Sequence, residues 1–412
     1  MRSGLLLLLL MASAFFSVID RNVMSLLLPV IREDIALSAT EAGLLTGFAF
    51  VLVYGVIALP YSRLTDRRGP QVTLPLAMII WSLGTLFCGL AASFPLLFLA
   101  RMLVGSGDAG FVPAANTALA TSFPRERLGR ALAGLTLGTG SGQVIGFTLA
   151  GVVAADLGWR TLFQLLGGLG IVYGVALFFL WRMLFPATAA AAPVATHSAA
   201  PPKLRHAVRG LLVLPGFALL LTGAVAHALS AYGTQQWMPT FLHEQHGMAL
   251  GEIGLWMGLV FSAVSIVGTS GTGLVIDRFR THKLANCMRV AAWSVVLTVP
   301  FYLLGFLLPG EAGKYALLPA SFLSAVYYTP TYLVVQKLAP DHIRASANAL
   351  VVASFTVVGF GLGPAFAGLV TDLLQALGAA QPLATALCVM AALNLVSGVY
   401  FFRAAAVLKD AE

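Results

Sequence analysis

The sequence predicts an all-α integral membrane protein, with twelve transmembrane helices arranged as two pseudo-symmetric six-helix bundles. Of the 412 residues, 59% are hydrophobic and only 10% are charged, whereas soluble proteins carry about 25% charged residues. Apolar windows of about 20 residues, the length that crosses a hydrocarbon core of about 30 Å, recur along almost the whole chain. Landmark residues of the first half reappear in the second half at a nearly constant distance, which indicates an internal duplication.

The chain contains twelve apolar windows. They cover residues 4–31, 41–61, 72–92, 95–121, 129–155, 160–184, 211–241, 251–276, 285–308, 314–338, 344–372 and 380–402. The first window follows Arg2 and is similar to a cleavable signal peptide, but its apolar run continues to Leu28 and makes a full span. An even number of spans places both termini on one side of the membrane.

The distribution of basic residues predicts which side that is. Most of the 24 Lys and Arg residues fall in one set of loops and ends, whereas the opposite set holds only Arg32, Arg160 and Lys314. Because Lys and Arg near helix ends stay in the cytoplasm, both termini are predicted to be cytoplasmic, in a cell (inner) membrane protein. The net charge of +8 follows from this asymmetry, so it does not indicate binding to nucleic acid.

A long Ala- and Pro-rich stretch that ends in basic residues divides the chain. It predicts a flexible cytoplasmic linker at 186–210, between an N-terminal bundle at 1–185 and a C-terminal bundle at 211–412. Two parallel six-helix halves are typical of one class of secondary transporter, in which the substrate site lies between the halves near the membrane midplane.

Five landmarks of the N-terminal half have partners in the C-terminal half. Pro29, Asp66, Pro124, Gly151 and Asp156 correspond to Pro239, Asp277, Pro340, Gly368 and Asp372. The offsets lie between 210 and 217 residues, and the order is the same in both halves, which supports the duplication.

Four residues that are charged at neutral pH lie deep inside predicted spans, where a charge costs several kcal/mol unless it is paired, solvated or functional. They are Asp20 and Arg21 in the first span and Arg101 and Asp108 in the fourth. Arg101 and Asp108 are two helical turns apart and share a face, whereas Asp20 and Arg21 point about 100° apart.

These four residues predict a site that links protons to an anion. If a carboxylate pairs with Arg101, protonation of that carboxylate frees the guanidinium for an anionic substrate. Asp20 and Asp108 are therefore the predicted proton-coupling residues, Arg101 is a predicted substrate ligand, and Arg21 supports it. The alternative is a permanent ion pair that clamps the first and fourth helices together.

The second half offers neutral polar and aromatic side chains in its seventh and tenth spans instead. The candidate substrate-binding residues there are His227, Gln236, Trp237, Tyr328 and Tyr332. A lone His inside a membrane span is more often a hydrogen-bonded neutral residue than a titrating one.

Two cytoplasmic loops carry matching motifs. Residues 62–69 read SRLTDRRG and residues 273–279 read GLVIDRF, and both resemble the GxxxDRxG signature of the major facilitator superfamily. A carboxylate at a helix end can cap neighbouring helices and pair with an arginine of the next loop. The predicted gating residues are Asp66, Arg67, Asp277, Arg278, Arg127 and Arg130. The alternative is a topogenic basic loop that contains an incidental Asp.

Motifs for enzymatic or metal chemistry are not supported. The formal GxGxxG at 105–110 lies in the middle of a span, HEQHG at 243–247 departs from HExxH, and the sequence contains no GxxxxGK[ST] loop. The three cysteines lie in separate spans, which does not indicate a metal or redox site. We therefore predict no cofactor, no bound metal and no enzymatic activity.

The segments 19–21 (IDR), 101–110 (RMLVGSGDAG) and 158–160 (GWR) resemble the spinster-type branch of the major facilitator superfamily. That family commonly has Glu where this chain has Asp108. The resemblance implies a monomer with the major facilitator fold that moves lipid-like amphiphilic anions, such as lysophospholipids or sphingolipids, together with protons. The anion:cation symporter branch carries a similar Asp-Arg pair, so a small organic anion is the alternative substrate. From another class, a non-transporting receptor or a lipid scramblase on the same fold stays open.

Overall fold

A computed structural model describes residues 2–184, 204–278, 283–340 and 343–409, and all regular structure in these ranges is helical. The predicted linker at 186–210 falls largely outside the described residues, apart from the start of a short helix at Leu204–Val213. The membrane helices are α1 Arg2–Ile35, α2 Ala39–Arg68, α3 Pro70–Leu90, α4 Phe94–Ser122, α5 Glu126–Leu157, α6 Trp159–Leu184, α7 Phe217–His246, α8 Leu250–Leu274, α9 Leu284–Leu307, α10 Gly310–Val326 with Tyr328–Leu338, α11 Ser346–Ala376 and α12 Pro382–Lys409.

Eleven of the helices in the described ranges are long and apolar enough to cross a membrane. The twelfth predicted span is α10, which is interrupted at Tyr327 and therefore consists of two shorter helices. The same kind of interruption occurs in α4, where a turn at Ala109 and Gly110 separates Phe94–Asp108 from Phe111–Ser122. The chain is an integral multi-pass membrane protein.

Helix irregularities recur at matching places in the two halves. The π-helical turns Leu44–Phe48 in α2 and Trp256–Phe261 in α8 occupy corresponding positions. A second pair, Gly142–Gly146 in α5 and Phe355–Leu362 in α11, corresponds in the same way. Since π-helical turns are rare and often mark functional positions, their repetition supports the duplication that the landmark residues predict.

The chain divides into two compact units, which differ slightly from the predicted bundles. Unit 1 contains residues 1–197 and 248–259, and unit 2 contains residues 198–247 and 260–412. The start of α8 therefore belongs to unit 1, where Gly254 packs on the backbone of α5 at Phe147 and Gly151.

Glycines let α1 and α5 approach each other inside unit 1. An added Cβ at Gly134, Gly138, Gly142 or Gly146 would lie within 3.0 Å of Leu7, Met11, Phe15 and Ile19 respectively. Four glycines at four-residue spacing thus meet four residues of α1 at the same spacing, which is typical of close packing between membrane helices.

Unit 2 packs around its own apolar core, with α7, α9, α11 and α12 as its main walls. Phe217, Met288 and Phe401 are fully buried in this core. Gly363 of α11 lies against the backbone of α7 at Leu229 and Gly233, so the two helices are in direct contact there.

Candidate functional site: a charged cluster in unit 1

The charged cluster is built on one face of α1. Ser17 and Arg21 are four residues apart, so both point from α1 toward α4. The Ser17 hydroxyl donates to Oδ1 of Asp108 at 2.5 Å, and Nη2 of Arg21 donates to Oδ2 of the same carboxylate at 2.5 Å. The Asp108 side chain is 3% exposed, whereas that of Arg21 is 34% exposed. Arg21 is therefore the more exposed partner of this ion pair.

Arg101 has different partners from those that the sequence predicts. It is fully buried, and its guanidinium donates to three backbone carbonyls, those of Leu45 at 3.3 Å, Asp20 at 2.9 Å and Arg21 at 3.2 Å. Leu45 lies in the π-helical turn of α2. Within the described chain no carboxylate forms an ion pair with Arg101. The Arg101 side chain therefore links α4 to α1 and α2. The arginine of the cluster that pairs with a carboxylate is Arg21, whose partner is Asp108.

Asp20 lies on a different face of α1 from Arg21, as the 100° separation predicts. Its side chain is buried, and neither carboxyl oxygen has a hydrogen-bond partner among the described residues. Thr85 and Trp81 of α3 lie beside it, and the Trp81 indole N–H is likewise buried without an acceptor. Asp20 is therefore a buried carboxyl group that faces α3.

Phe50 of α2 lies between the two arginines. Its ring centroid is 5.3 Å from the Arg21 guanidinium and 5.7 Å from that of Arg101, within the range of cation–π attraction. Gly105 of α4 faces the Phe50 backbone, and an added Cβ there would lie 2.1 Å from the Phe50 carbonyl oxygen. The glycine of the fourth span thus permits the approach that places Phe50 on the cluster.

A further polar contact extends the cluster along α1 to α5. The Asn22 amide donates to the side-chain oxygen of Gln143 at 3.1 Å, and Gln143 lies in the π-helical turn of α5. Ser17, Phe50, Asn22 and Gln143 were not among the residues predicted from the sequence. The four-residue spacing of Ser17 and Arg21 was the one pattern that could have indicated Ser17.

His227 of α7 belongs to a buried hydrogen-bonded network in unit 2. Asn394 donates to the Ser230 hydroxyl at 3.0 Å, so its oxygen faces Nδ1 of His227 at 2.7 Å. Nδ1 of His227 therefore donates to Asn394, and the Ser324 hydroxyl lies 3.3 Å from Nε2. Every polar group of this network thus has a partner. Ser230 is the residue that corresponds to Asp20, so the equivalent place in unit 2 carries a hydroxyl group and not a carboxylate.

The other candidate residues of unit 2 differ in exposure. Trp237 is fully buried and donates from its indole nitrogen to the Pro364 carbonyl at 2.9 Å, and Gln236 is also buried. Tyr328 is 43% exposed, and its ring lies 4.5 Å from that of Tyr332. The tyrosine pair, in which Tyr328 is exposed and Tyr332 is half-buried, is therefore more accessible than His227, Gln236 or Trp237.

The predicted gating residues lie at helix ends on the predicted cytoplasmic side. Asp66 and Arg67 are exposed in the last turn of α2, which ends at Gly69 with a φ of 79°. Arg127 and Arg130 are exposed near the start of α5. Among the residues that the structure describes, Asp66 forms no ion pair with either arginine. The side chains of Asp277 and Arg278 lie outside the described part of the chain.

The segment Gly158, Trp159 and Arg160 closes the opposite end of unit 1. Arg160 forms an ion pair with Asp34 at the end of α1, and the Trp159 indole donates to the same carboxylate at 3.2 Å. Arg160 also donates to the Ala91 carbonyl at 3.5 Å. The segment therefore joins the ends of α1, α3 and α6.

The repeated membrane helices and the charge pair inside them define the class, a multi-pass membrane protein of the transporter type. The family model of the Major Facilitator Superfamily matches residues 10–364. The chain belongs to that superfamily; it is a transporter and not an enzyme. Among the described residues, no three His, Cys, Asp or Glu side chains are grouped to hold a metal ion.

Three similar proteins illustrate the range of the superfamily. A relative described as an MFS-type efflux pump of Mycolicibacterium smegmatis is 28% identical, over 94% of this chain and 89% of the relative. The hexuronate transporter of Bacillus subtilis is 24% identical, over 95% of this chain and 93% of that protein. The crystal structure of a bacterial homolog to the human lysosomal transporter Spinster, inward-facing and unoccupied, has a TM-score of 0.87 and 23% identity, and covers 99% of this chain and 98% of that chain. The predicted major facilitator fold is thus confirmed.

Proposed function

We propose that the protein is a proton-coupled secondary transporter of an organic anion that works by alternating access. The observation that carries this proposal is the Arg21–Asp108 ion pair, in which the arginine is partly exposed and the carboxylate is buried. An anionic substrate and Asp108 would compete for one guanidinium, which is the chemical minimum for coupling protons to an anion.

The coupling follows from the charge of Asp108. When this carboxylate is ionised, Ser17 and Arg21 hold it and the Arg21 guanidinium is occupied. A protonated Asp108 loses its charge-assisted hydrogen bond to Arg21, which then offers two parallel N–H donors to a carboxylate, sulfonate or phosphate. Binding of the anion should therefore strengthen as the pH falls.

Asp20 is the second proposed proton-coupling residue. Its buried carboxyl has no hydrogen-bond partner among the described residues, so a change in hydration around it during transport would change its preference for the proton. Arg101 is proposed to position α1 and α2 rather than to contact the anion, because it is fully buried and each of its three guanidinium nitrogens already donates to a backbone carbonyl.

The polar groups outside the cluster have supporting roles in this proposal. Tyr328 and Tyr332 would contact the apolar part of a substrate, since they are the more exposed candidates of unit 2. Asp66 and Arg67, with their counterparts Asp277 and Arg278 and with Arg127 and Arg130, would act as cytoplasmic gating residues. That role requires the cytoplasmic orientation that the distribution of basic residues predicts.

Two substrate classes compete. An amphiphilic, lipid-like anion is supported by the exposed tyrosine pair in α10 and by the residues that resemble the spinster-type branch. A small organic anion is supported by the similarity to the hexuronate transporter along nearly the whole chain. Substrates of both classes carry one anionic head group, which would bind to the Arg21 guanidinium in competition with Asp108.

Uptake into proteoliposomes with an imposed pH gradient tests the coupling. A hexuronate and a lysophospholipid serve as the two substrates, and the wild type is compared with Arg21→Gln, Asp108→Asn and Asp34→Asn. The last variant is the matched control, because it removes a carboxylate from an ion pair far from the cluster in the same unit.

The gradient should accelerate uptake by the wild type and by Asp34→Asn, and Arg21→Gln should abolish uptake. Asp108→Asn should bind the anion about tenfold more tightly at neutral pH, because the lost competitor is a charged hydrogen bond worth roughly 1.5 kcal/mol after solvent screening, and its affinity should no longer depend on pH. The proposal is wrong if the pH gradient does not change the rate of uptake and Arg21→Gln transports at the rate of the wild type. Gradient-independent lipid movement in both directions would indicate a scramblase.

A further inference from the structure

An open groove lies on the surface of unit 2, between α9 and the first segment of α10. Its volume is about 580 Å³, and its walls include Arg289, Trp293 and Leu297 of α9 and Leu323 and Val326 of α10. Trp293 is 56% exposed and Leu297 is 45% exposed, while the opposite face of α9 is buried in the core of the unit. In a membrane protein such an outward-facing surface is in contact with lipid.

The length of the groove corresponds to one leaflet of the membrane. Its lining on α9 runs from Asn286 to Leu297, which is about 16 Å at 1.5 Å per helical residue. Half of a hydrocarbon core of about 30 Å is about 15 Å. The groove therefore extends from near the start of α9, on the side where the basic residues accumulate, to about the middle of the bilayer.

Polarity changes along the groove as it does along a phospholipid. Arg289 and Asn286 form its polar end, Trp293 follows one turn deeper, and Leu297 and Val326 line its inner part. Trp293 lies one turn, about 6 Å, below Arg289, so its ring lies beside the upper part of an acyl chain. The order cation, tryptophan, aliphatic residue thus matches the order phosphate, upper acyl chain, lower acyl chain.

Two contacts restrain the side chains at the polar end of the groove and one turn below it. Nη1 of Arg289 donates to the side-chain oxygen of Asn286 at 3.1 Å, which orients the guanidinium, and Arg289 is exposed. The Trp293 ring packs edge to face on Phe402 of α12, with centroids 5.2 Å apart. An oriented, exposed guanidinium beside a fixed indole suits a phosphate group, because guanidinium binds phosphate through parallel hydrogen bonds.

We propose that this groove is a binding site for an anionic glycerophospholipid of the leaflet on the basic side of the membrane. The phosphate lies on Arg289 and one acyl chain follows the groove past Trp293 to Leu297. The site is separate from the charged cluster of unit 1, so the proposal does not rest on the transport mechanism. The charge of Arg289 gives the site its preference for anionic over zwitterionic lipid.

Quenching of Trp293 fluorescence by brominated lipid tests the site. The purified full-length protein is reconstituted in vesicles that contain increasing fractions of phosphatidylglycerol or phosphatidylcholine, each brominated near the middle of one acyl chain. The contribution of Trp293 is the difference between the wild type and Trp293→Phe. Half-maximal quenching should require roughly fivefold less brominated phosphatidylglycerol than phosphatidylcholine, the preference expected for one cation near the membrane surface.

Three substitutions assign that preference to the groove. Arg289→Gln should make the two lipids equivalent, whereas Arg289→Lys should keep most of the preference. Arg182→Gln is the matched control and should behave as the wild type, because Arg182 is an exposed arginine in the last turn of α6 in unit 1. Equal quenching by both lipids in the wild type, a preference that survives Arg289→Gln, or no quenching of Trp293 would each overturn the proposal.

Discussion

Gly105 of α4 should be intolerant of even one added methyl group. A Cβ at this position would lie 2.1 Å from the carbonyl oxygen of Phe50, whereas ordinary contact begins at 3.4 Å. The α2 backbone would have to move by about 1.3 Å, the difference of those two distances. Overpacking of this kind costs about 1–3 kcal/mol, and Gly105→Ala belongs at the upper end because the obstacle is backbone. The shift would also displace Phe50 from the arginines that it contacts.

The measurement is a comparison of two alanine variants in the same detergent. Gly55→Ala is the control, because Gly55 lies in the interior of α2 and an added Cβ there meets nothing within 4 Å. Alanine favours a helix over glycine by about 1 kcal/mol, so Gly55→Ala should be as stable as the wild type or more stable. Because both variants exchange glycine for alanine inside a helix, that gain cancels, and the free energy of unfolding should differ by about 1–3 kcal/mol between them, the cost of overpacking. Equal stability of Gly105→Ala and Gly55→Ala, with equal transport, would refute the packing argument.

Two further substitutions separate buried from exposed polar contacts. Asn394→Leu should lower the free energy of unfolding by about 2–3 kcal/mol, because it removes the acceptor of the buried His227 Nδ1–H. Thermal unfolding in detergent measures this loss. An unchanged unfolding midpoint would contradict the hydrogen-bonded network. Asp34→Asn should cost less than about 1 kcal/mol, because the side chains of Asp34 and Arg160 are each about 40% exposed. That small effect should shrink further in high salt, and a large salt-independent loss would show that the contact is more than a screened surface pair.

The spans and the duplication could be predicted from the sequence because both depend on local composition. The interruption of α10 at Tyr327 was not predicted, since the apolar run at 314–338 continues through it. The four charged residues inside the spans could also be found from the sequence, because a charge in an apolar window is energetically costly and therefore rare. Arg101 and Asp108 share a face of α4, as their seven-residue spacing predicts. That spacing does not indicate which side chains and backbone carbonyls of α1 face them.

The sequence by itself determined that this protein crosses the membrane many times and that four charges lie within its spans. The free energy of placing a helix in lipid is roughly a sum over its own residues, so it can be evaluated without the rest of the fold. Only the tertiary structure decided that Asp108 pairs with Arg21 and Ser17, while Arg101 binds backbone carbonyls. Those partners are 56 to 91 residues apart in the chain, and a pairing over such a distance depends on how two helices are rotated and how closely their glycines let them approach.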